Sequence, residues 1–511
     1  EKYRGHLYNW YDTVLLTPLS PRYISTVDSG NYIGHLITLQ QGLLTLQEDK
    51  IFSSKAFCGL LDIVNILEEK ESTFQIIQSF KKELEEMMES YPETLADAKG
   101  CMLILEDEYA RIVSTYNFNE QLKDEPLMWI DLLGKQIRDI HYDLNALAPW
   151  VSMQAPSEKF AETISLVSSI PTLHDLSKVH TELLPHIRSN YTTNNTHHEN
   201  QWLDAFVNAI VESVKRARER IQTIEGLILK CIEFSTVDYA FLYDKKQNLF
   251  SIGCNVEEHR CDNSYYDLLA SEARLGIFVS IAQGKIPQES WFALGRQLTT
   301  LGTQPVLVSW SASMFEYLMP MLVMPSYNHT LLHETHKVIV QKQIDYGNKR
   351  EVPWGISESG YNLVDAQLNY QYRAFGVPGL GLKRGLAEDL VISPYSTIMA
   401  LMVMPNEAYD NLQVMAAKGF ETDYGFYEAI DYTSSRLPRG QENVIIRSFM
   451  AHHQGMSFLS LAYVLLEQPM QKRFESEVHL KSTLLLLQER IPRVTTFYSP
   501  SVHAGDASII S

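Results

Sequence analysis

Residues 202–234, "WLDAFVNAIVESVKRARERIQTIEGLILKCIEF", decide the class of fold. Apolar side chains return every three or four positions, at Leu203, Phe206, Ile210, Val214, Ala217 and Ile221, and Lys, Arg and Glu fill the turns between them. That period predicts one long amphipathic helix with a single buried stripe. The same pattern occupies "STFQIIQSFKKELEEMMESY" at 72–91, and helices of this kind are expected throughout 44–235. Residues 1–43 form a polar and aromatic opening with two proline-bearing turns and a helix from about Ser29. After Ser235, two short β-like runs flank a turn at Asp244–Asn248, so one small hairpin is expected. Beyond it helix follows helix with almost no strand between. Ser393-Pro394 in "ISPYSTIMALMVMP" (392–405) reads as a clean helix start, with Ser as N-cap and Pro at the first helical position. The expectation is an all-α protein of helical hairpins with function on the loops at one end. Its parts are 1–43 joining a catalytic region 236–511, and a helical region 44–235.

Composition narrows the partners. The 511 residues carry a formal net charge of −19, which argues against nucleic acid and anionic lipid, since both require clustered Lys and Arg. A neutral substrate fits better. With 27 Tyr and 7 Trp, the chain has aromatic faces on which sugar rings stack, although aromatic residues also build ordinary cores. Five cysteines (58, 101, 231, 254 and 261) are odd in number and scattered. They read as thiols in a reducing compartment, neither a disulfide framework nor a zinc site. No run approaches the roughly 20 apolar residues that span a bilayer. Starting at Glu1 without methionine, the chain reads as a segment of a longer polypeptide.

Candidate chemistry concentrates in loops of the last 280 or so residues. In "YDLLASEARL" (266–275), helical spacing would set Glu272 on one face with Leu268, Leu269, Leu275 and Gly276. Either a distant partner neutralises it, or it faces a polar cavity. Glu358 lies in "VPWGISESGYN" (352–362), beside Trp354 and ahead of Tyr361. An aromatic wall would raise its pKa toward that of a general acid; the alternative is a capping Glu in a surface turn. Two such carboxyl groups are what glycoside chemistry employs. Glu316 stands three residues after Ser313, as a capping box requires. Glu428 and Asp431 are one helical turn apart, placed to bind sugar hydroxyls or to pair with Arg436 or Arg439. Asp12 and Asp28 form a polar cluster with Trp10 and Tyr11, and His452 and His453 are adjacent. "HETH" (333–336) lacks the spacing of a zinc protease, and "GISESG" (355–360) lacks the glycine of a nucleophile elbow.

Six blocks carry a resemblance: 7–31 "LYNWYDTVLLTPLSPRYISTVDSGN", 265–287 "YYDLLASEARLGIFVSIAQGKIP", 310–320 "WSASMFEYLMP", 352–362, 424–432 "YGFYEAIDY" and 450–457 "MAHHQGMS". In the same order they resemble the middle, glycoamylase-like segment of bacterial cyclic β-1,2-glucan synthases, related to endo-β-1,2-glucanases. The resemblance implies an (α/α)6 barrel with additional helices. It implies retaining transglycosylation that closes a linear β-1,2-glucan into a ring, with Glu272 as nucleophile and Glu358 as acid/base. Substrate contacts are expected from Trp10, Tyr11, Asp12, Asp28, Trp310, Glu316, Tyr317, Trp354, Ser357, Tyr361, Tyr427, Glu428, Asp431, His452, His453 and Gln454. Phe315 and Tyr424 join the expected aromatic lining. No metal or organic cofactor is implied. The expected partners are glycosyltransferase and phosphorylase-like domains of the same polypeptide, at the cytoplasmic face of the inner membrane. A hydrolytic endo-β-1,2-glucanase, or a non-catalytic segment that guides glucan, would share these features.

Overall fold

The computed structural model describes residues 1–70, 75–117, 124–301 and 304–491; the start of the expected 72–91 helix, 72–74, lies outside them. The chain is mostly helical, as the 3.6-residue periodicity predicts, and divides into two compact units. One is Gly42–Lys230 and the other joins Glu1–Gln41 to Cys231–Ser511.

In the first unit each helix buries one stripe. Phe57, Leu60, Val64 and Leu67 do so on Lys55–Lys70, and Ile77, Phe80, Leu84 and Met87 on Gln75–Glu89. Trp202 stacks on Phe206 with ring centroids 4.9 Å apart. The helix His197–Ser235 begins five residues before the amphipathic stretch that opens at Trp202. Thr196 and Glu199 explain this, since each backbone N–H donates to the other's side chain, closing a capping box.

In the second unit, neighbouring helices pack in a series. Pro394–Ala400 packs on Pro405–Ala417 and on Ala451–Leu465, which meets Pro469–Ser476; that helix meets Val478–Thr483, which packs on Ala273–Ala282. At one crossing Gly30 and Gly276 meet backbone to backbone, so that a Cβ on Gly30 would lie 2.5 Å from Gly276 Cα. Neither helix can yield without moving its whole stripe. Gly30→Ala is therefore expected to destabilise by about 2–3 kcal/mol; an unchanged denaturant midpoint would mean that these helices do not touch.

Strand content exceeds the expectation of one hairpin. Short pairs join 23–25 to 253–255 and 260–261, 391–392 to 429–431 and 444–446, and 298–301 to 304–307, and hairpins form at 359–373 and 421–426. Most of these strands are two or three residues long, too short to display alternation. The expected hairpin is present, with Tyr243 opposite Phe250 and Asp244 opposite Leu249. Cys254 and Cys261, read above as thiols, are directly opposed across 253–255 and 260–261 and are joined as a disulfide. Cys58, Cys101 and Cys231 are free. Among the described residues no helix is long and apolar enough to cross a membrane.

Candidate active site

Glu272 does not lie within a helix. Its helix starts one residue later, at Ala273–Ala282, because the preceding backbone is committed elsewhere. Leu268 bridges to Gly295, and Leu269 N donates to Gly295 O at 3.0 Å. The helical face shared with Leu268 and Leu269 is therefore not formed. Glu272 instead occupies the N-cap position, with one carboxylate oxygen, Oε2, buried and without a hydrogen-bond partner. Burial raises its pKa well above the carboxylate range, and the charges of Glu358, Glu316 and Asp28 add to the effect. Arg274 opposes it only weakly. Its guanidinium is turned to the carbonyl oxygens of Ser271 and Glu316, each at 3.0 Å, and to Tyr317 O at 2.5 Å.

Glu358 immediately precedes the strand Ser359–Val364. Burial pushes its carboxyl group up to about 7, helped by Glu316 and Asp28; a hydrogen bond from the Tyr372 hydroxyl and the charge of Lys383 pull the other way. The aromatic neighbour is not the one expected. Trp354 is buried in the core, with its carbonyl oxygen bonded to Thr397 and Asn411. Tyr372 and Tyr395 stand beside Glu358 in its place, the Tyr395 hydroxyl lying 2.8 Å from Glu358 O. No motif marks either tyrosine. Alternation in "YQYR" (370–373), and the position of Tyr395 just inside the helix that Ser393-Pro394 opens, are the available signals.

Several other expected contacts have structural partners. Glu316 closes a capping box with Ser313, and its carboxylate also receives Ser309 Oγ at 2.8 Å and Ser311 Oγ at 2.7 Å. That leaves it little capacity for substrate, although its charge acts on both glutamates. Tyr317 is buried, its hydroxyl 3.0 Å from Leu307 O and Leu380 O. Ser357 Oγ is taken by Phe315 N and the Tyr395 hydroxyl. Asp12 caps its own turn through Val14 N and Leu15 N, and the Tyr11 hydroxyl bonds to Glu1 O. Phe315 and Tyr11 are half-buried against the core.

Glu428 and Asp431 lie on and just before the strand Ala429–Asp431, not on a helix, because Ile430 and its neighbours pair with 391–392 and 444–446. Glu428 bonds to His453 Nδ1 at 2.9 Å and Gly360 N at 3.1 Å. Asp431 is paired with Arg436 Nε at 2.7 Å and receives Asn362 N at 3.1 Å. Both therefore anchor the hairpin that runs from Glu358 to Tyr372. Tyr361, half-buried, meets Phe375 edge-on beneath Arg436.

The open surface is supplied by Asp28, Trp10, Trp310, His452 and Tyr424, with Tyr427 and Gln454 half-buried. Trp310 is held by Asp267 through its indole N–H at 3.0 Å, and Tyr427 packs on Phe449. Asp28 acts on both Glu272 and Glu358 and so belongs with them. Among the described residues no group of three or more His, Cys, Asp or Glu could hold a metal ion.

Two carboxyl groups with raised pKa values, Glu272 within the field of Glu358, can divide one proton between an acid and a carboxylate. Comparison with known proteins gives this arrangement a context. The family model "Glycoamylase" matches residues 264–477. The cyclic β-(1,2)-glucan synthase NdvB of Rhizobium meliloti is 35% identical over 499 residues, which is 96% of this chain and 16% of that protein. Among solved structures, the endo-β-1,2-glucanase of Chitinophaga pinensis, in complex with sophorotriose and glucose, aligns at 15% identity with a TM-score of 0.39, over 53% of this chain and 65% of that one. The endo-β-1,2-glucanase of Talaromyces funiculosus, in complex with sophorose, aligns at 14% identity and a TM-score of 0.38, over 58% and 67%. The chain thus spans about one sixth of the length of its synthase relative, and 96% of its own length is similar to that part.

Proposed function

We propose that this chain cleaves a linear β-1,2-glucan and rejoins the released glycosyl unit to the chain's own non-reducing end, with retention at the anomeric carbon. The observation that carries this reading is the pair Glu272 and Glu358, both raised by burial and by the charges of Glu316 and Asp28, with Glu272 raised also by the charge of Glu358. The relative that matches 96% of the chain is named for making cyclic β-(1,2)-glucan, which supplies the substrate class.

The surroundings favour roles opposite to those the resemblance implies. Glu272 has a desolvated oxygen with no donor, so it holds the proton. Glu358 is drawn toward its ionised form by the Tyr372 hydroxyl and the charge of Lys383. Glu272 then protonates the departing glycosidic oxygen while Glu358 attacks C1 and forms a glycosyl ester. The 2-hydroxyl of the glucan's far end next attacks C1, Glu272 takes its proton, and the ester bond to Glu358 breaks. Two inversions give net retention. Transfer to sugar over water requires an acceptor held in near-attack position in a dry site.

This scheme carries a pH signature. A Glu358 that ionises near pH 7 makes kcat/KM on linear glucan fall as pH drops below about 7, because the nucleophile becomes protonated. Burial and the charge of Glu358 raise Glu272 well above the usual carboxylate range, and its ionisation sets the alkaline limb. An acidic limb below pH 5 would remove Glu358 from this role.

Catalysis is assigned to the unit of 1–41 and 231–511, which contains both glutamates. We further place the chain within a longer synthase whose other parts make and trim the glucan at the cytoplasmic face of the inner membrane. The deciding experiment is a mass spectrum with a reducing-end count after incubation of this chain with linear β-1,2-glucan. Products one water lighter than the linear series, without new reducing ends, are expected. A rise in reducing ends would make the chain a glucanase.

A further inference from the structure

Arg274 is a buried cation put to an unusual use. It is 2% exposed, yet among the described residues none of its hydrogen bonds goes to a carboxylate. Nη1 donates to Ser271 O and to Glu316 O, each at 3.0 Å, and Nη2 donates to Tyr317 O at 2.5 Å. Ser271 O belongs to the peptide that leads into Glu272. A guanidinium is a rigid planar fork, so the carbonyl groups it joins are held in one relative geometry. The backbone of Glu272 is thereby tied to the short helix Met314–Leu318.

The same helix also reaches Glu358. Phe315 N donates to Ser357 Oγ at 3.0 Å, Ser357 Oγ lies 2.9 Å from the Tyr395 hydroxyl, and that hydroxyl lies 2.8 Å from Glu358 O. Counting protons gives this line one direction. A carbonyl oxygen has none to give, so Tyr395 donates to Glu358 O, and Ser357 donates to Tyr395 while accepting the Phe315 N–H. Ser357 and Tyr395 are both buried, and the Tyr395 ring is stacked on His453 with centroids 3.6 Å apart and planes within 9°. The helix between the two ties is itself held. Ser313 and Glu316 close its capping box, and Met314 N donates to Ile356 O at 3.2 Å.

We infer that Arg274, Ser357 and Tyr395 are positioning residues which, through the helix Met314–Leu318, form one strut that fixes the separation of Glu272 and Glu358. This rests on the proposed pairing of the two glutamates and holds for either assignment of their roles. Separation matters because a carboxylate attacks the sugar directly when the two carboxyl groups are about 5–5.5 Å apart, whereas about 6.5–9.5 Å leaves room for water. The strut grips the main chain beside each glutamate and leaves both carboxyl groups free for the sugar.

The test is kcat and KM on linear β-1,2-glucan for the wild type, Ser357→Ala, Arg274→Lys and the double variant, with melting temperatures alongside. Ser357→Ala removes one hydroxyl. The expected result is a kcat lower by about 10- to 100-fold, because small misplacements of reacting groups are costly, with KM within about threefold. Arg274→Lys keeps the charge, but an ammonium cannot span three carbonyl groups in a fixed fork, so kcat falls in the same way. A strut cut once is already loose, and the double variant should lie within about threefold of the slower single one. A wild-type kcat in Ser357→Ala, with or without a lower melting temperature, would overturn the strut, as would losses that multiply in the double variant. Should Arg274→Lys not fold, Tyr395→Phe replaces it in the cycle, since Phe keeps the stack on His453 and loses only the hydroxyl. Glu272→Gln and Glu358→Gln are the controls: if either keeps wild-type activity, the pairing falls and the strut with it; if both are inactive while Ser357→Ala keeps its kcat, only the strut falls.

Discussion

Glu358→Gln is expected to lower turnover of linear β-1,2-glucan by at least about 10⁴-fold, because an amide cannot form the glycosyl ester. Glu272→Gln is expected to cost about 10²- to 10⁴-fold on the same substrate, through loss of proton donation to the leaving oxygen. An aryl β-glycoside of sophorose separates the two roles. Its leaving group departs without protonation, so Glu272→Gln should release aryl alcohol at nearly the wild-type rate in the first turnover, while Glu358→Gln stays inactive. The opposite outcome would restore Glu272 as nucleophile. Neither substitution should harm the fold. Both carboxyl groups have folded-state pKa values raised above those of the unfolded chain, so each weakens the native state as pH rises from about 4.5 through its folded value. The neutral amides remove that penalty, and melting temperatures at pH 8 should equal or exceed the wild type.

Arg436→Met should produce the largest loss of stability, about 3 kcal/mol, read as a shift in the urea midpoint at constant slope. Arg436 bonds to Asp431 at 2.7 Å and to Asp389 at 2.5 Å, and Asp431 has none of its side chain exposed. Removing the guanidinium leaves that carboxylate charged and desolvated, still receiving Asn362 N and Thr433 N but without a cation. Because Asn362 lies on the hairpin between Glu358 and Tyr372, kcat should fall as well. Arg436→Met/Asp431→Leu tests the cause: removing both charges should recover most of the stability, since no isolated charge remains. If the double variant is as unstable as Arg436→Met, the pair was not the source.

The helical class was legible because a long buried stripe repeats many times. Thirty-three residues from Trp202 to Phe234 give several turns of the same signal, and local turns cannot overturn it. The start at Ser393-Pro394 was equally legible, as the helix Pro394–Ala400 begins there, although Ser393 caps nothing and its hydroxyl turns instead toward Gly355 O. Short strands were not legible, since two or three residues hold no period. The disulfide was hidden for a related reason: Cys254 and Cys261 become opposite only once a hairpin sets their register.

The site divides along the same line. Residue types in local order, together with the six blocks, were enough to single out Glu272 and Glu358. The reasons first attached to them were incomplete, because a pKa belongs to surroundings assembled from distant segments. Glu272 is exceptional through its unpartnered oxygen and the charges of Glu316, Glu358 and Asp28, which come from positions far apart in the chain. Glu358 is tuned by Tyr372 and Lys383, not by Trp354 four residues away. Sequence by itself determined the long amphipathic helices, because that choice is made within a few turns by neighbours along the chain. Tertiary structure alone decided which carboxyl group keeps its proton and which histidine and tyrosines stand behind it, because desolvation and Coulomb fields act through space and carry no trace in sequence order.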